Sequence, residues 1–361
     1  MRTDVAMSPE IDIMLLQDAA VALGVSGGKD SCALVFAALA HLDSIGHQGP
    51  RVLVHADLGR IEWKDSLPTC QRLADVTGLE LMVVRREKGD MVDRWKQRWT
   101  DNVARYASLS CVQIILPWST PAMRFCTGEM KLDPICRALA KRFPGAGIVS
   151  ASGIRAEESS QRAKSPVSKP QPKLTYKTLN TWGMDWSPLL RWSLQDVLDI
   201  CEAYGFDLSE VYRVYNSSRL SCCFCILATA ADLMAAAGCD DNHDVYRELV
   251  ELEIDSTFAF QGNRWLGDCA PELLSNGAKL CLAGAKQAAA KRQEIEARIP
   301  KHLLYEKGWP TCLPTWQEAE LLAAVRSEVA TLLGLDIQYT DAASVRGRYE
   351  ELMEAKNAKA A

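Results

Sequence analysis

No stretch of about 18 apolar residues occurs in the chain, so no membrane-spanning helix is expected. Residues Met1 to Gln17 lack a basic region with a small-residue cleavage site and carry Asp4, Glu10 and Asp12 instead. No export signal is read there, and a cytoplasmic location is the expectation that follows. An excess of positive charge is also missing: 41 Lys and Arg stand against 46 Asp and Glu, a net charge of −5. Nucleic-acid binding would therefore need a local patch; overall charge does not supply it. No internal repeat is found.

Cysteine, by contrast, is plentiful. Thirteen cysteines in a chain read without an export signal are thiols or metal ligands sooner than disulfides. Cys32, Cys70, Cys136, Cys201 and Cys281 fall in helical or apolar patterns and read as small core hydrophobes. The 361 residues are 48% hydrophobic and 24% charged, enough apolar material for a full core and for two or three structural units, or one large α/β domain with an appendage.

The organising stretch is Val21-Ala22-Leu23-Gly24-Val25-Ser26-Gly27-Gly28-Lys29-Asp30-Ser31. An apolar strand, Ala20–Val25, runs into a glycine turn, and a helical pattern follows from Cys32 to His41. Glycines without Cβ let the backbone approach an anion, and free N–H groups at a helix start favour negative charge. Ser26 and Ser31 add hydroxyl donors and Lys29 a point charge. The spacing is not that of the common nucleotide P-loop, which needs four residues between its first glycine and a Gly-Lys pair.

Further strands are predicted at 51–56, 79–84 and 147–152, with helices between them. Such alternation predicts an α/β fold with a doubly wound, mostly parallel sheet, whose ligands bind beyond the strand carboxyl ends. Ser26 and Asp57 both fall at such ends. Trp95 and Trp99 stand at helical spacing and read as the buried face of an amphipathic helix, with a base-stacking platform as the alternative. From Ser159 to Met184 there are three prolines, five basic residues and no acid. This segment reads as a mobile basic loop, either solvated or a lid over a polyanion. Ser193 is a candidate N-cap with Asp196 in the first turn. Residues 209–300 read as helical throughout, as do the last 60, whose Ala/Lys-rich end is expected to fray.

Cys222 and Cys225 form a C-x₂-C pair, whose thiolates can close on one metal or one cluster edge. An iron–sulfur cluster, structural zinc and plain core cysteines all stand as readings. Zinc would need a fourth ligand, and His243 is the nearest histidine downstream.

Four blocks, in order, carry a family resemblance. Ser26–Ser31 resembles the PP-loop of the adenine-nucleotide alpha-hydrolase superfamily. Arg124-Phe125-Cys126-Thr127 with Lys131 and Pro134, then Gly153-Ile154-Arg155-Ala156-Glu157-Glu158-Ser159 with Arg162, then Pro188-Leu189-Leu190 with Trp192 and Asp196, resemble the phosphoadenosine-phosphosulfate (PAPS) reductase family. The resemblance spans about residues 20 to 230. It implies a Rossmann-like PP-loop fold with a helical C-terminal region. The implied plan is a nucleotide-binding domain at 1–208, a helical cysteine-motif region at 209–300 and a helical extension at 301–361.

The resemblance implies ATP or a related adenine nucleotide on Ser26, Gly27, Gly28, Lys29, Asp30, Ser31 and Gly153. Lys29, Arg124, Lys131, Arg155 and Arg162 are cations suited to phosphate or sulfate oxygens. Asp30 or Asp57 suits Mg²⁺, and Glu157 would orient the arginines or act as a base. Lys29, Arg155, Glu157 and Arg162 are the expected catalytic set. The sulfonate-attacking Glu-Cys-Gly-(Leu/Ile)-His tail of true PAPS reductases is absent; Cys312 is followed by Leu313-Pro314. The Ser-Gly-Gly-Lys-Asp-Ser string is similar to the ATP-using branch, which includes the small subunit of sulfate adenylyltransferase and the ATP pyrophosphatase of DNA phosphorothioation.

In relatives of that branch a cysteine of the Cys-Thr block joins the C-x₂-C pair on a cluster. The resemblance thus implies Cys126, Cys222 and Cys225 around a 4Fe-4S cluster, with Cys223, Cys239, Cys269 or a non-protein group as the fourth ligand. The implied activity is cleavage between the alpha and beta phosphates of ATP, with sulfur transfer to a nucleic acid or a sulfur metabolite. A cysteine desulfurase as sulfur donor, DNA or tRNA as substrate, and a homodimer are the implied partners. The alternatives are a sulfonucleotide reductase and a non-catalytic nucleotide-binding subunit of a larger complex.

Overall fold

The computed structural model describes residues 2–220 and 222–360, and the chain divides into two compact units. The first comprises Met1–Met91 with Pro121–Val245, the second Val92–Thr120 with Tyr246–Ala361. These limits differ from the expected boundaries at 208/209 and 300/301.

Within the first unit the elements are α1 Pro9–Leu16, β1 Ala20–Gly24, α2 Lys29–Ser44, β2 Arg51–Asp57, α3 Ser66–Thr77 and β3 Glu80–Arg85. The chain leaves on α4 (Met91–Ala107), which lies in the second unit from Val92 onward. It returns with a short α5 (Phe125–Thr127), a π-helical turn Gly128–Leu132 and α6 Asp133–Arg142. There follow β4 Gly147–Ala151, β5 Ser168–Pro170, β6 Trp182–Trp186, α7 Leu194–Ala203, α8 Glu210–Arg213 and α9 Ala230–Ala237.

The six strands are ordered β3-β2-β1-β4-β6-β5, all parallel except β5. Side chains of β1 alternate, as a pleated strand requires. Val21 and Leu23 join a core with Cys32–Ala38 of α2, Cys70 and Leu73 of α3, and Val197, Ile200 and Cys201 of α7. Ala20 and Ala22 face the other way, onto Cys136, Leu139 and Phe143 around α6. With helices on both faces the sheet is doubly wound, as expected. The order in which successive strands are added reverses between β1 and β4, which run parallel and pair from Ala20↔Ile148 to Leu23↔Ala151. That switch point is where open α/β sheets bind ligands.

The segment 159–184 differs from its expectation as a mobile loop. Ser168–Pro170 is the antiparallel edge strand and Trp182–Trp186 an inner strand. Leu174 is fully buried, and Gln171 donates to both carboxylate oxygens of Asp185 at 3.0 and 2.9 Å. Its prolines suit a sheet edge, where a missing N–H costs no ladder bond.

The second unit holds the last part of α10 (His243–Ser256), with α11 Asn276–Glu296, α12 Trp316–Leu333 and α13 Ala342–Ala360. Tyr106, Leu109 and Ile114, from and just after α4, pack with Ile295, Leu322, Val325, Val329 and Tyr349. An apolar face that early in the chain thus belongs to the C-terminal core. Trp95 is buried edge-on against Trp118 and Phe260, which removes it from any base-stacking platform. Residues 209–300 are not helical throughout: 214–220 and 222–229 are non-helical, and 257–275 forms turns and short 3₁₀ segments. The second break is organised by the buried Glu253, whose carboxylate accepts the N–H groups of Phe260, Leu266 and Gly267 at 2.7, 2.7 and 3.0 Å. Among the described residues no helix is long and apolar enough to cross a membrane.

Candidate active site

The loop after β1 meets the loop after β4 at the switch point. Gly27 has φ +76°, and a Cβ there would lie 2.7 Å from the Ser66 carbonyl oxygen, so only glycine fits without strain. Gly153 sits so close to the first turn of α2 that a Cβ would lie 2.5 Å from the Asp30 carbonyl oxygen. These two approaches bring residues 26–31 and 153–158 together.

Inside the loop the Ser31 hydroxyl donates to the Gly28 carbonyl at 2.8 Å and accepts the Ser26 N–H at 3.2 Å. The N–H groups of Gly27, Gly28 and Asp30 meet no acceptor among the described residues. They open the 16-residue α2, whose Gly28 N-cap has no side-chain cap. A row of unbonded amides at a long helix N-terminus is an anion-binding surface.

Lys29 is buried, and burial lowers its pKa while Asp30 opposes the shift. Its ammonium donates to the Ser218 carbonyl at 2.8 Å, stands 3.7 Å from the Asp30 carboxylate and lies over the Tyr212 ring. The Tyr212 hydroxyl accepts the N–H of Lys29 and of Leu220, each at 3.1 Å. Burial pushes that hydroxyl's pKa up, so it is un-ionised at neutral pH. Asp232 accepts the Ser218 N–H at 2.8 Å while capping α9 with Thr229, and so fixes the turn that faces Lys29.

Arg155 is also buried. Its Nε donates to Asp30 at 2.5 Å and its Nη1 to Glu157 at 2.7 Å. Burial lowers its pKa, but Asp30, Glu158 and Glu157 together outweigh it and leave the pKa raised. Glu157 also accepts the Leu194 N–H at 2.8 Å, which ties the site to the start of α7. Glu158 accepts the Arg155 N–H and pairs with Arg162. The structure thus brings Ser26, Gly27, Gly28, Lys29, Asp30, Ser31, Gly153, Arg155 and Glu157 together, with Arg162 one residue removed.

Asp57 stands at the end of β2, accepting the Gly59 N–H at 2.8 Å and pairing with Arg85 at 2.7 Å. Arg124 is exposed at the start of α5. Neither is joined to the 26–31 loop by a hydrogen bond or ion pair among the described residues. Glu158 lies in the block read from the sequence, but Tyr212, Ser218 and Asp232 were not marked there; Tyr212 and Lys29 are 183 residues apart.

Behind the loop lies His55, with Nδ1 3.0 Å from the Val25 carbonyl and Nε2 3.1 Å from the Glu62 carboxylate. Both ring nitrogens therefore face acceptors, which calls for the imidazolium. Burial opposes that charge, but hydrogen bonds to Cys70 and Glu62 outweigh it and raise the pKa to about 10. The backbone of Glu62 forms an isolated antiparallel β-bridge with Cys222, and the Cys223 N–H donates to the Ile61 carbonyl at 2.8 Å.

All thirteen cysteines are free thiols. Cys126, Cys222 and Cys225 are half-buried. Burial raises the pKa of the Cys222 thiol, Cys225 raises it further, and both Cys126 and Lys131 are near enough to act on it. The Leu227 N–H approaches the Cys225 sulfur at 3.5 Å. Among the described residues, no group of three or more Cys, His, Asp or Glu is closed into metal-holding geometry. The donor chemistry still fits a soft-metal centre, since three neighbouring thiols with an N–H aimed at sulfur suit thiolate ligation. Of the candidate fourth ligands, Cys223 is buried, and its thiol pKa is raised by burial. Cys239 is hydrogen-bonded to Tyr215, whose pKa it pushes up to about 12. Cys269 belongs to the second unit.

Residues 20–225 match the family model of the phosphoadenosine phosphosulfate reductase domain. The structure is similar to that of phosphoadenylyl-sulfate (PAPS) reductase from Candida auris, solved as a phosphate complex, with 14% identity and a TM-score of 0.34, over 58% of this chain and 94% of that one. It is also similar to the U34-tRNA thiolase NcsA from Methanococcus maripaludis with its 4Fe-4S cluster, with 14% identity and a TM-score of 0.38, over 78% and 74% of the two chains. No curated protein matches the sequence.

Proposed function

Because the chain belongs to the phosphoadenosine phosphosulfate reductase domain family, we propose that it is a nucleotide-dependent sulfur-transfer enzyme that cleaves ATP between its alpha and beta phosphates. The observation that carries this reading is the row of unbonded Gly27, Gly28 and Asp30 amides beside buried Lys29 and Arg155. A triphosphate tail docks on those amides, with the Lys29 ammonium as a fixed positive charge beside it. An acceptor oxygen attacks the alpha phosphorus, the alpha–beta bridging P–O bond breaks, and pyrophosphate leaves with the bond pair. The carbon bearing the adenylylated oxygen is then open to a sulfur nucleophile: the C–S bond forms, the C–O bond breaks, and AMP leaves with that oxygen and the bond pair.

The amides and Lys29 stabilise the charge that gathers on the departing pyrophosphate, the main lever of phosphoryl-type transfer. Glu157 orients Arg155. Asp30 or Asp57 offers a carboxylate to Mg²⁺, which would supply charge neutralisation on the phosphates. Cys126, Cys222 and Cys225, with Cys223 or Cys239 as the fourth ligand, would hold an iron–sulfur cluster whose chemistry is the delivery of sulfide.

The test is pyrophosphate release from ATP in the presence of tRNA or DNA, comparing wild type with Lys29→Met. The expected loss is about 100-fold, the scale of removing one preorganised charge stabiliser. Melting temperatures of the two proteins control for misfolding. Equal release by a folded variant, or no ATP binding by the wild type, overturns the reading.

A further inference from the structure

A groove of about 480 Å³ opens at the end of β3. One wall is the end of the strand and the turn after it; the other is the π-helical turn and α6. Five cations line it: Arg85, Arg86, Lys88, Arg137 and Lys141. Three carboxylates, Glu87, Glu129 and Asp133, line it too, but Asp133 is held by Lys173 at 2.5 Å, and Glu87 is exposed and 3.5 Å from Arg137. Arg86 donates to the uncharged carbonyls of Lys88 and Gly89, so its charge is not compensated there. Lys88 and Lys141 have no ion pair among the described residues. In a chain of net charge −5 this is a local concentration of positive charge running against the overall balance.

Position gives the groove its meaning. Arg85 pairs with Asp57, its neighbour in the parallel register. β2 is itself the neighbour of β1, so two strand spacings, about 10 Å, separate Arg85 from the amide loop at the same end of the sheet. The opposite wall is built from the turn that directly follows Cys126. The groove is thus bounded by a strand end two spacings from the amide loop and by the turn after the cysteine segment.

We propose that this groove binds the phosphodiester backbone of a nucleic acid and leads one of its nucleotides to the 26–31 loop, an inference that rests on the nucleotide-site reading above and names its acceptor class. Exposed lysines and arginines on two walls suit a run of phosphates, whose binding scales with the number of ion contacts. No base-edge readout is implied by these residues, so the groove positions the strand and does not select its sequence.

The test uses the full chain with Arg86→Glu, Arg137→Glu and Lys141→Glu combined, all outside the nucleotide site. The probes are a fluorescent single-stranded DNA 20-mer and an unmodified tRNA transcript, titrated at several salt concentrations, with ATP binding measured separately. The expected result is a loss of at least 10-fold in affinity for one or both probes and a shallower dependence of log K on log salt, by about 2 to 3. ATP affinity should be unchanged. Unaltered nucleic-acid affinity and salt slope overturn the proposal, as does a wild type that binds neither probe. Loss of ATP affinity in the variant also overturns it, because the groove would then serve the nucleotide. Loss of ATP binding by Lys29→Met with probe binding intact keeps the groove and is the separate signature of the nucleotide loop.

Discussion

Raising the pH should weaken the first unit through one buried residue, His55. The ring is 1% exposed and holds the Val25 carbonyl on one side and the Glu62 carboxylate on the other. Its pKa rises from 6.5 in the unfolded chain to about 10 in the folded one. A folded value above the unfolded value means that the stabilisation is complete below pH 6.5 and is lost as pH climbs toward 10. The interval of about 3.5 pH units corresponds to at most about 5 kcal/mol, at ~1.4 kcal/mol per unit. Urea unfolding of wild type and His55→Asn at pH 6, 8 and 10 measures it. The common titration of other groups, Lys29 among them, cancels in the difference between the two proteins. That difference should be several kcal/mol at pH 6 and shrink steadily toward pH 10. A difference that stays constant with pH would refute the imidazolium and leave His55 as a neutral spacer.

Gly27→Ala should weaken ATP binding by about 10-fold or more, since the left-handed φ of +76° alone costs a side chain about 1–2 kcal/mol and the new Cβ meets the Ser66 oxygen at 2.7 Å. Isothermal titration with ATP checks this, and an unchanged Kd would mean that the loop does not carry the phosphates. Glu253→Ala strands three backbone N–H groups in the interior of the second unit and should cost about 3 kcal/mol, read as a lowered urea midpoint. Anaerobically purified protein should show a visible absorption band that disappears in Cys222→Ser; colourless wild type with stoichiometric zinc would exclude the iron–sulfur cluster.

What the sequence made legible is what local physics encodes. The β1–loop–α2 unit, β2, β3 and β4 follow from apolar runs broken by glycine, and the Ser193 cap with Asp196 in the first turn is present as a full capping box. The blocks at 26–31 and 153–157 were readable as chemistry, and the chain does bring them together. The misses all depend on distant partners. Strand β5 is three residues long and is held by pairing with β6, not by its own Ser-Lys-Pro composition. The detour of 92–120 into the second unit is decided by packing against helices that come 180 residues later or more. Tyr212 reaches Lys29 across 183 residues, and no motif announces it.

The same distance effect changes how the cations must work. From sequence, Lys29, Arg155 and Arg162 read as cations suited to phosphate or sulfate oxygens, with Glu157 to orient the arginines. In the structure each has a carboxylate: Asp30 lies beside Lys29 and Arg155, Glu157 takes the second arm of Arg155, and Glu158 holds Arg162. Arg155 is buried in that arrangement, so removing its partners would leave a costly unpaired charge. A polyphosphate arriving here meets a nearly neutral cluster in which, among the described residues, the Gly27, Gly28 and Asp30 amides have no acceptor. It would therefore gain most from the amides and from a divalent cation, for which Asp30 would be the nearby carboxylate, and least from displacing Arg155 out of its ion pairs. On that argument nucleotide affinity should depend more steeply on Gly27 and on Mg²⁺ than on half-buried Arg162, whose salt bridge with Glu158 is partly solvent-screened.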